Sequence, residues 1–172
     1  MNQAWELLFE GKIEEAKKLV SETFSLETCK DYSLLNLMGY IKLFEKDYKE
    51  ALLIYQKYLE IAISSQDKEN EHIGYHQLAM VYREMNDYQT ALNYIDKERE
   101  VIEDSFSEDA LKSSVNNYEQ GYLRLKLGEI AKAVIYMEQS LKQALQTDDL
   151  IAQACSFRGL GEIYSVEKSE KS

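Results

Sequence analysis

One short pattern recurs four times along this chain and constrains its fold more than any other feature. Each copy has a turn residue, then a tyrosine or isoleucine, and an alanine three positions after that. Successive alanines are 35, 40 and 42 residues apart, at Ala16, Ala51, Ala91 and Ala133. A period of this length indicates stacked copies of one supersecondary unit, because a single unit cannot bury its own apolar face.

A second landmark lies upstream of each turn. Small residues occur there at Ala4, Gly39, Ala79 and Gly121, and Gly161 continues the spacing near the end. A small residue in the first helix of a hairpin lets the second helix approach closely, and the turn residue tolerates the left-handed conformation that ends the first helix. The pattern therefore predicts helical hairpins, with a further close-packing site at Gly159–Gly161 in the last helix.

The chain contains no proline and no strand-like alternation, so only glycines, caps and polar linkers can end its helices. We expect an all-α fold, an α-solenoid of antiparallel hairpins, forming a single domain over residues 1–172. The hairpins are predicted at about 2–24, 31–64, 69–104 and 108–146, with a capping helix at about 150–165. The natural N-caps are Asp31, Asp67, Ser107 and Thr147 or Asp148.

These landmarks resemble the tetratricopeptide repeat, whose motif combines a small residue, an Asp-Tyr pair and an alanine. Residues 78–95 (LAMVYREMNDYQTALNYI) match it closely, and residues 37–55 match nearly as well. The spacing near 40 residues implies hairpins longer than the basic repeat, and the family's proline is absent from every copy. The resemblance implies a right-handed superhelix whose first helices line a concave, polypeptide-binding groove.

Given that resemblance, helical geometry locates the residues that face the groove, since positions three or four apart share one face of a helix. They are Asn36, Tyr40, Phe44, His76, Met80, Arg83, Tyr118, Tyr122, Leu125 and Arg158. A stripe with several aromatic residues and a few polar groups is typical of a peptide-binding surface. The alternative is a slightly rotated register, in which the same residues form ordinary core between repeats.

Charge and cysteine content restrict the partners. The formal charge of −11 argues against nucleic acid and against an anionic membrane surface, both of which attract Lys and Arg. Cys29 and Cys155 form no CxxC pair, which suits free thiols in a reducing compartment. No apolar stretch approaches transmembrane length and no basic leader is present, so we expect a cytoplasmic protein.

No catalytic constellation is evident, so we expect neither enzymatic activity nor a cofactor. His72 and His76 have the spacing of metal ligands, but the first histidine is not followed by glutamate and no third ligand is evident. Paired carboxylates occur on helix surfaces and linkers, where we interpret them as solvent-exposed charges and not as catalytic pairs. The stripe also lacks the lysine, asparagine and arginine set with which chaperone-binding family members hold a C-terminal carboxylate.

Three functions remain open. The first is a scaffold that holds a protein or peptide in the groove. The second is a structural assembly module whose groove is buried in a homodimer. The third is the sensor module of a bacterial signalling-peptide receptor without its output domain. This chain resembles such receptors in the length of its repeats and in having an asparagine, Asn36, on the predicted groove face.

Overall fold

The computed structural model describes residues 2–21 and 23–170, and within these ranges the chain forms nine α-helices and no strand. The helices are α1 (Asn2–Phe9), α2 (Ile13–Ser21), α3 (Tyr32–Phe44), α4 (Tyr48–Ser64), α5 (Lys68–Glu84), α6 (Tyr88–Ser105), α7 (Ala110–Lys126), α8 (Ile130–Ala144) and α9 (Leu150–Glu170). The predicted all-α fold is confirmed. Helix α2 ends before the predicted residue 24, and α9 continues past 165. Residues 1, 22, 171 and 172 of the predicted domain lie outside the described residues.

The four predicted turn residues share one backbone geometry. All have a positive φ angle: 77° at Gly11, 60° at Lys46, 61° at Asn86 and 77° at Gly128. The next residue in each turn donates its N–H to the carbonyl five positions earlier, as Asp47 does to Lys42 at 2.9 Å. This bond satisfies a carbonyl at the end of the first helix while the chain reverses.

Aspartates begin most of the longer helices. Asp31 accepts a hydrogen bond from the Leu34 N–H, and Asp67 accepts one from the Asn70 N–H, so both predicted N-caps are confirmed. The other two predicted caps are wrong. Asp109, and not Ser107, caps α7, and Asp149, and not Thr147 or Asp148, caps α9. The nearer carboxylate reaches the exposed N–H groups of the first turn, whereas the residues further upstream do not.

The small residues mark close helix approaches at two of the predicted positions. A Cβ atom on Gly39 would overlap the Tyr55 ring, and one on Gly121 would lie 3.2 Å from the Ala133 carbonyl oxygen. In α9 the close approach occurs at Gly159, beside the Met137 side chain. A Cβ on Gly161 would meet nothing within 4 Å, so the prediction that Gly161 is closely packed is wrong.

The chain divides into two compact units, Met1–Val81 and Tyr82–Ser172, and the division falls within α5. The core of the first unit is apolar: Leu35 and Ile41 of α3 pack with Ile54 and Tyr58 of α4. In the second unit, Ala133, Met137 and Ile163 form an apolar cluster. Helix α7 instead buries mainly polar side chains, which are Ser114, Asn116, Asn117, Glu119 and Gln120.

The alanine of each second helix is completely buried, as the repeat pattern requires. Replacing Ala91 with leucine should therefore overpack the interior around α6 and lower the free energy of unfolding by about 1–3 kcal/mol. Thermal and chemical denaturation measure this change. Ala131 is an exposed alanine near the start of α8, and Ala131→Leu is the matched control, expected to have little effect. Equal melting temperatures for the two variants would contradict the repeat alignment.

Lys46 occupies a left-handed position that glycine adopts without strain. We expect Lys46→Gly to raise the free energy of unfolding by about 1 kcal/mol, because the steric cost of a Cβ in this conformation is removed. The same change at Gln56, an exposed position inside α4, should lower it by about 1 kcal/mol. Chemical denaturation of both variants tests the opposite signs, and a loss of stability in both would rule out strain at Lys46.

Candidate functional site

In the first unit, the predicted site residue Tyr40 belongs to a group of aromatic side chains with Trp5 and Phe9. The Trp5 ring meets the Tyr40 ring edge-on, with centroids 5.6 Å apart, and stacks on the Phe9 ring at 5.8 Å. The Gln77 side-chain amide donates a hydrogen bond to the Tyr40 hydroxyl at 3.3 Å. Phe9 is 81% exposed and Phe44, one turn beyond Tyr40 on α3, is 56% exposed. The first helices of two hairpins thus carry accessible aromatic surface.

Trp5 and Phe9 are absent from the predicted set, although the repeat itself points to them. They follow Ala4 by one and five positions, as Tyr40 and Phe44 follow Gly39. Extending the stripe into the first repeat would have found both residues. We call Trp5 and Phe9 of α1 and Tyr40 and Phe44 of α3 the α1/α3 aromatic set.

The remaining predicted residues of the first unit differ in accessibility. Asn36 is half-buried, and its Oδ1 atom is buried without a hydrogen-bond partner among the described residues. His76 is half-buried. Met80 is only 8% exposed and offers little surface to a partner.

In the second unit, the structure brings the five predicted residues together. The Tyr118 and Tyr122 rings lie one turn apart on α7 and stack with centroids 6.4 Å apart. The Arg83 guanidinium lies 5.2 Å from the Tyr122 ring centroid, and Arg158 donates a hydrogen bond of 3.2 Å to the Tyr118 hydroxyl. Leu125 and Arg158 line one cavity of about 790 Å³. We call Arg83, Tyr118, Tyr122, Leu125 and Arg158 the tyrosine face.

A buried carboxylate fixes Arg83, one of the two arginines of this face. Arg83 Nη1 lies 2.8 and 2.9 Å from the two carboxylate oxygens of Glu119, which is buried. Burial by itself lowers the pKa of Arg83, but the negative charge and hydrogen bonds of Glu119 outweigh burial, so the pKa of Arg83 is raised. The guanidinium therefore stays charged and oriented beside Tyr122.

Two residues of the tyrosine face, Tyr118 and Leu125, also pack against the core. Tyr118 and Leu125 pack against the Ala133–Met137–Ile163 cluster, so part of each side chain belongs to the core. Burial raises the pKa of Tyr118, although its hydrogen bond from Arg158 acts in the opposite direction. Lys126 Nζ lies 5.3 Å from the Tyr122 ring centroid, and the sequence pattern did not point to this further cation beside Arg83 and Arg158. The face consequently presents aromatic rings with cations beside them.

The described residues were also compared with the requirements for metal binding and for crossing a membrane. Among the described residues, no group of three or more histidine, cysteine, aspartate or glutamate side chains is arranged to hold a metal ion. In the same part of the chain, no helix combines the length and apolar character that crossing a bilayer requires.

Variants of Glu119 and Glu84 test how much the buried ion pair between Glu119 and Arg83 contributes to the free energy of unfolding. Glu119→Gln removes the charged acceptor and should lower the free energy of unfolding by about 1.5–3 kcal/mol. Glu84 is exposed and lies 3.8 Å from the same guanidinium, so Glu84→Gln should change stability by no more than about 0.5 kcal/mol. Urea denaturation compares the two variants, and equal effects would show that burial does not strengthen the Glu119 interaction.

Comparisons with known proteins agree with this architecture. A family model described as tetratricopeptide repeat matches residues 31–104 and again residues 70–146. Among solved structures, BtubC (BKLC) from P. vanneervenii superposes with a TM-score of 0.77 at 16% identity, over 96% of this chain and 70% of its own. None of the curated protein sequences matches significantly.

Two other solved structures are similar along almost the whole chain. A Podosopora anserina protein with nearly identical TPR-like repeats gives a TM-score of 0.72 at 14% identity, over 99% of this chain and 86% of its own. MamA from Desulfovibrio magneticus RS-1 gives 0.59 at 18% identity, over 99% of this chain and 94% of its own. At such identities the likeness shows the fold alone.

Proposed function

We propose, from the premise that this chain belongs to the tetratricopeptide repeat family, that it is a non-catalytic scaffold binding a segment of another polypeptide. Repeats of this family generally mediate protein–protein interactions. The tyrosine face of the second unit is the proposed contact surface, and the α1/α3 aromatic set of the first unit is a second contact region. The observation that carries the proposal is the convergence of Arg83, Tyr118, Tyr122, Leu125 and Arg158 on one surface.

The chemistry of the tyrosine face suits a polypeptide partner. Tyrosine supplies an apolar ring and a polar hydroxyl, and tyrosine and arginine are enriched among the residues that dominate binding energy. Because Glu119 and Tyr122 already hold Arg83, little side-chain freedom is lost when a partner binds. A site oriented before binding favours a specific partner over non-specific adhesion.

The finer properties of the partner follow from charge and composition. We propose a protein or peptide ligand, and neither nucleic acid nor a membrane surface, because a chain of charge −11 repels phosphate-rich surfaces. Cys29 and Cys155 are both free thiols, which is compatible with the cytoplasm. Proteins of this family are typically non-catalytic, and we propose no cofactor for this chain.

Self-association is a second candidate, and Phe9 is the observation that favours it. An aromatic side chain that is 81% exposed, with Phe44 also more than half exposed, is a liability on an isolated protein unless a partner covers it. A homodimer that buries these residues would use the first unit.

Selection from a displayed peptide library tests the proposal. Peptides enriched on the wild-type chain should bind Tyr122→Ser at least about ten-fold more weakly, because a central aromatic contact is lost. The matched control is Tyr164→Ser, which removes an exposed tyrosine of α9 outside the tyrosine face. Tyr122 is preferred to Tyr118 because Tyr118 also packs against the core. Peptides that bind all three proteins equally would refute the tyrosine face as the contact surface.

Light scattering tests whether the chain associates with itself. A dimer at low micromolar concentration that dissociates when Phe9 and Phe44 are both changed to serine would support self-association. A wild-type chain that stays monomeric over the same range would exclude it. Circular dichroism of each variant confirms that the helices remain folded.

A further inference from the structure

The rings of the α1/α3 aromatic set present open faces on the first unit. Trp5 and Phe9 stack with an interplanar angle of 24°, whereas Trp5 and Tyr40 meet at 73°, so the rings form two walls at a steep angle. Trp5 and Tyr40 are half-buried, and Phe9 and Phe44 are exposed. A corner of aromatic faces suits a cation, because the face of each ring carries the negative part of its quadrupole.

These rings differ from several rings of the second unit in lacking a cation from the chain itself. In the second unit, lysine or arginine side chains lie within 5.3 Å of four ring centroids, those of Tyr94, Phe106, Tyr122 and Tyr136. Among the described residues, no lysine or arginine lies over a ring of the α1/α3 aromatic set. Its ring faces are therefore available to a cation from another molecule.

The charge around the set favours a cation. Residues 1–81 carry 14 aspartates and glutamates against nine lysines and arginines, a formal charge of −5. Glu6 and Phe9 are three positions apart on one side of α1, and the exposed Glu6 carboxylate has no hydrogen-bond or ion-pair partner among the described residues. Helix α1 contains no lysine or arginine, and Lys42, the one in α3, is paired with Glu45 at 3.1 Å. An incoming cation thus meets an unpaired negative charge beside the rings.

Two buried oxygen atoms near Tyr40 lack hydrogen-bond donors. Gln77 is 6% exposed, its Nε2 donates to the Tyr40 hydroxyl at 3.3 Å, and its Oε1 has no hydrogen-bond partner among the described residues. Asn36 lies one turn before Tyr40 on α3, and its Oδ1 is likewise buried and unpaired within the same part of the chain. Leaving acceptors unpaired costs free energy, and a guanidinium or ammonium group that enters beside Tyr40 brings only donors.

A basic side chain fits these features better than a second copy of the chain does. In a symmetric dimer the same patch faces itself, so two Glu6 carboxylates and two units of formal charge −5 would come together. A second copy also brings further rings, whereas the unpaired oxygens and the Glu6 carboxylate require donors and positive charge. Arginine and lysine side chains supply both.

We propose that the α1/α3 aromatic set binds an arginine or lysine side chain of a partner polypeptide. The cation packs on the faces of Trp5, Phe9 and Tyr40, its N–H groups point toward the unpaired amide oxygens, and Glu6 attracts its charge. This inference rests on the proposed scaffold function, because it names the partner chemistry at the second contact region of that scaffold.

Tryptophan fluorescence tests the chemistry of the partner, because Trp5 is the only tryptophan in the chain. The probes are blocked four-residue peptides with a pair of arginines, lysines, citrullines or glutamates between glycines, titrated into the full chain at low ionic strength. The arginine and lysine peptides should change the fluorescence saturably, and the tighter of the two identifies the preferred cation. Citrulline is the neutral isostere of arginine, and its peptide should bind about ten-fold more weakly than the arginine peptide.

Four results of this titration overturn the proposal. Three concern the peptides: equal binding of the arginine and citrulline peptides, tighter binding of the glutamate peptide, and no saturable change with either basic peptide. The fourth is a fluorescence change that follows protein concentration without any peptide, which indicates a second copy of the chain on the rings.

A matched pair of phenylalanine variants tests the ring contact. Phe9→Leu keeps an apolar side chain but removes the ring, so it should bind the basic peptide about three-fold more weakly, whereas Phe9→Tyr should keep the wild-type affinity. Phe157→Leu makes the same change at a residue of α9 that is 57% exposed and should bind as the wild type does. Equal affinities for Phe9→Leu and Phe157→Leu refute the ring contact.

A second pair of variants decides the outcome if Phe9→Leu does not fold. Glu6→Gln removes the carboxylate beside the rings, and Glu60→Gln removes the charge of an exposed glutamate of α4. Binding of the basic peptide about two-fold weaker in Glu6→Gln than in Glu60→Gln supports the site, and equal binding overturns it.

Tyr122→Ser distinguishes a failure of this inference from a failure of the proposed function. The variant keeps the α1/α3 aromatic set and should bind the basic peptides as the wild type does. If library-selected peptides depend on Tyr122 but the wild type binds no basic peptide, this inference alone is overturned. If both proteins bind the basic peptides and no selected peptide depends on Tyr122, the tyrosine face is overturned and this inference is supported.

Discussion

A left-handed residue between two helices is the constraint on which each hairpin depends. At Lys46 and Asn86 the chain accepts this conformation without glycine. The bond from the following N–H to the carbonyl five positions earlier satisfies the end of the first helix. The second helix then returns close beside the first, and a small residue must lie where they meet. Gly39 fills this place in the second hairpin, since any side chain there would overlap the Tyr55 ring.

Helix α7 differs from its counterpart α3 in what it buries. Leu35, Leu37 and Ile41 of α3 are completely buried, so burial of apolar surface stabilises that hairpin. Most buried polar groups of α7 have partners: the Asn116 amide donates to the Ile95 carbonyl at 3.0 Å and the Ser114 hydroxyl donates to the Ser140 carbonyl at 2.9 Å. Paired polar groups contribute little net stability but restrict which arrangement satisfies them all. We attribute to this restriction the fixed orientation of α7, which bears the tyrosines on one stripe and Asn117 on another.

The repeat pattern demands few residues, and this explains how the fold persists at 14–18% identity among the similar structures. A turn residue, a small residue and a buried alanine recur in each copy, while most exposed positions are unconstrained by packing. Surface chemistry can therefore diverge without a change of architecture. For that reason the likeness of fold carries no information about the partner, and the tyrosine face has to be judged from its own residues.

The sequence alone determined the helical hairpins, their turns and the buried alanines, because these depend on backbone geometry within a short segment. Helical periodicity also predicted that Tyr118 and Tyr122, four positions apart, lie on one side of α7. Other features depend on side chains far away in the chain. Only the tertiary structure showed that Glu119 holds Arg83, that Met80 is buried, and that Gly159 rather than Gly161 meets Met137. Periodicity places a side chain on a face of its helix, but contacts across 20 to 40 residues decide what that face touches.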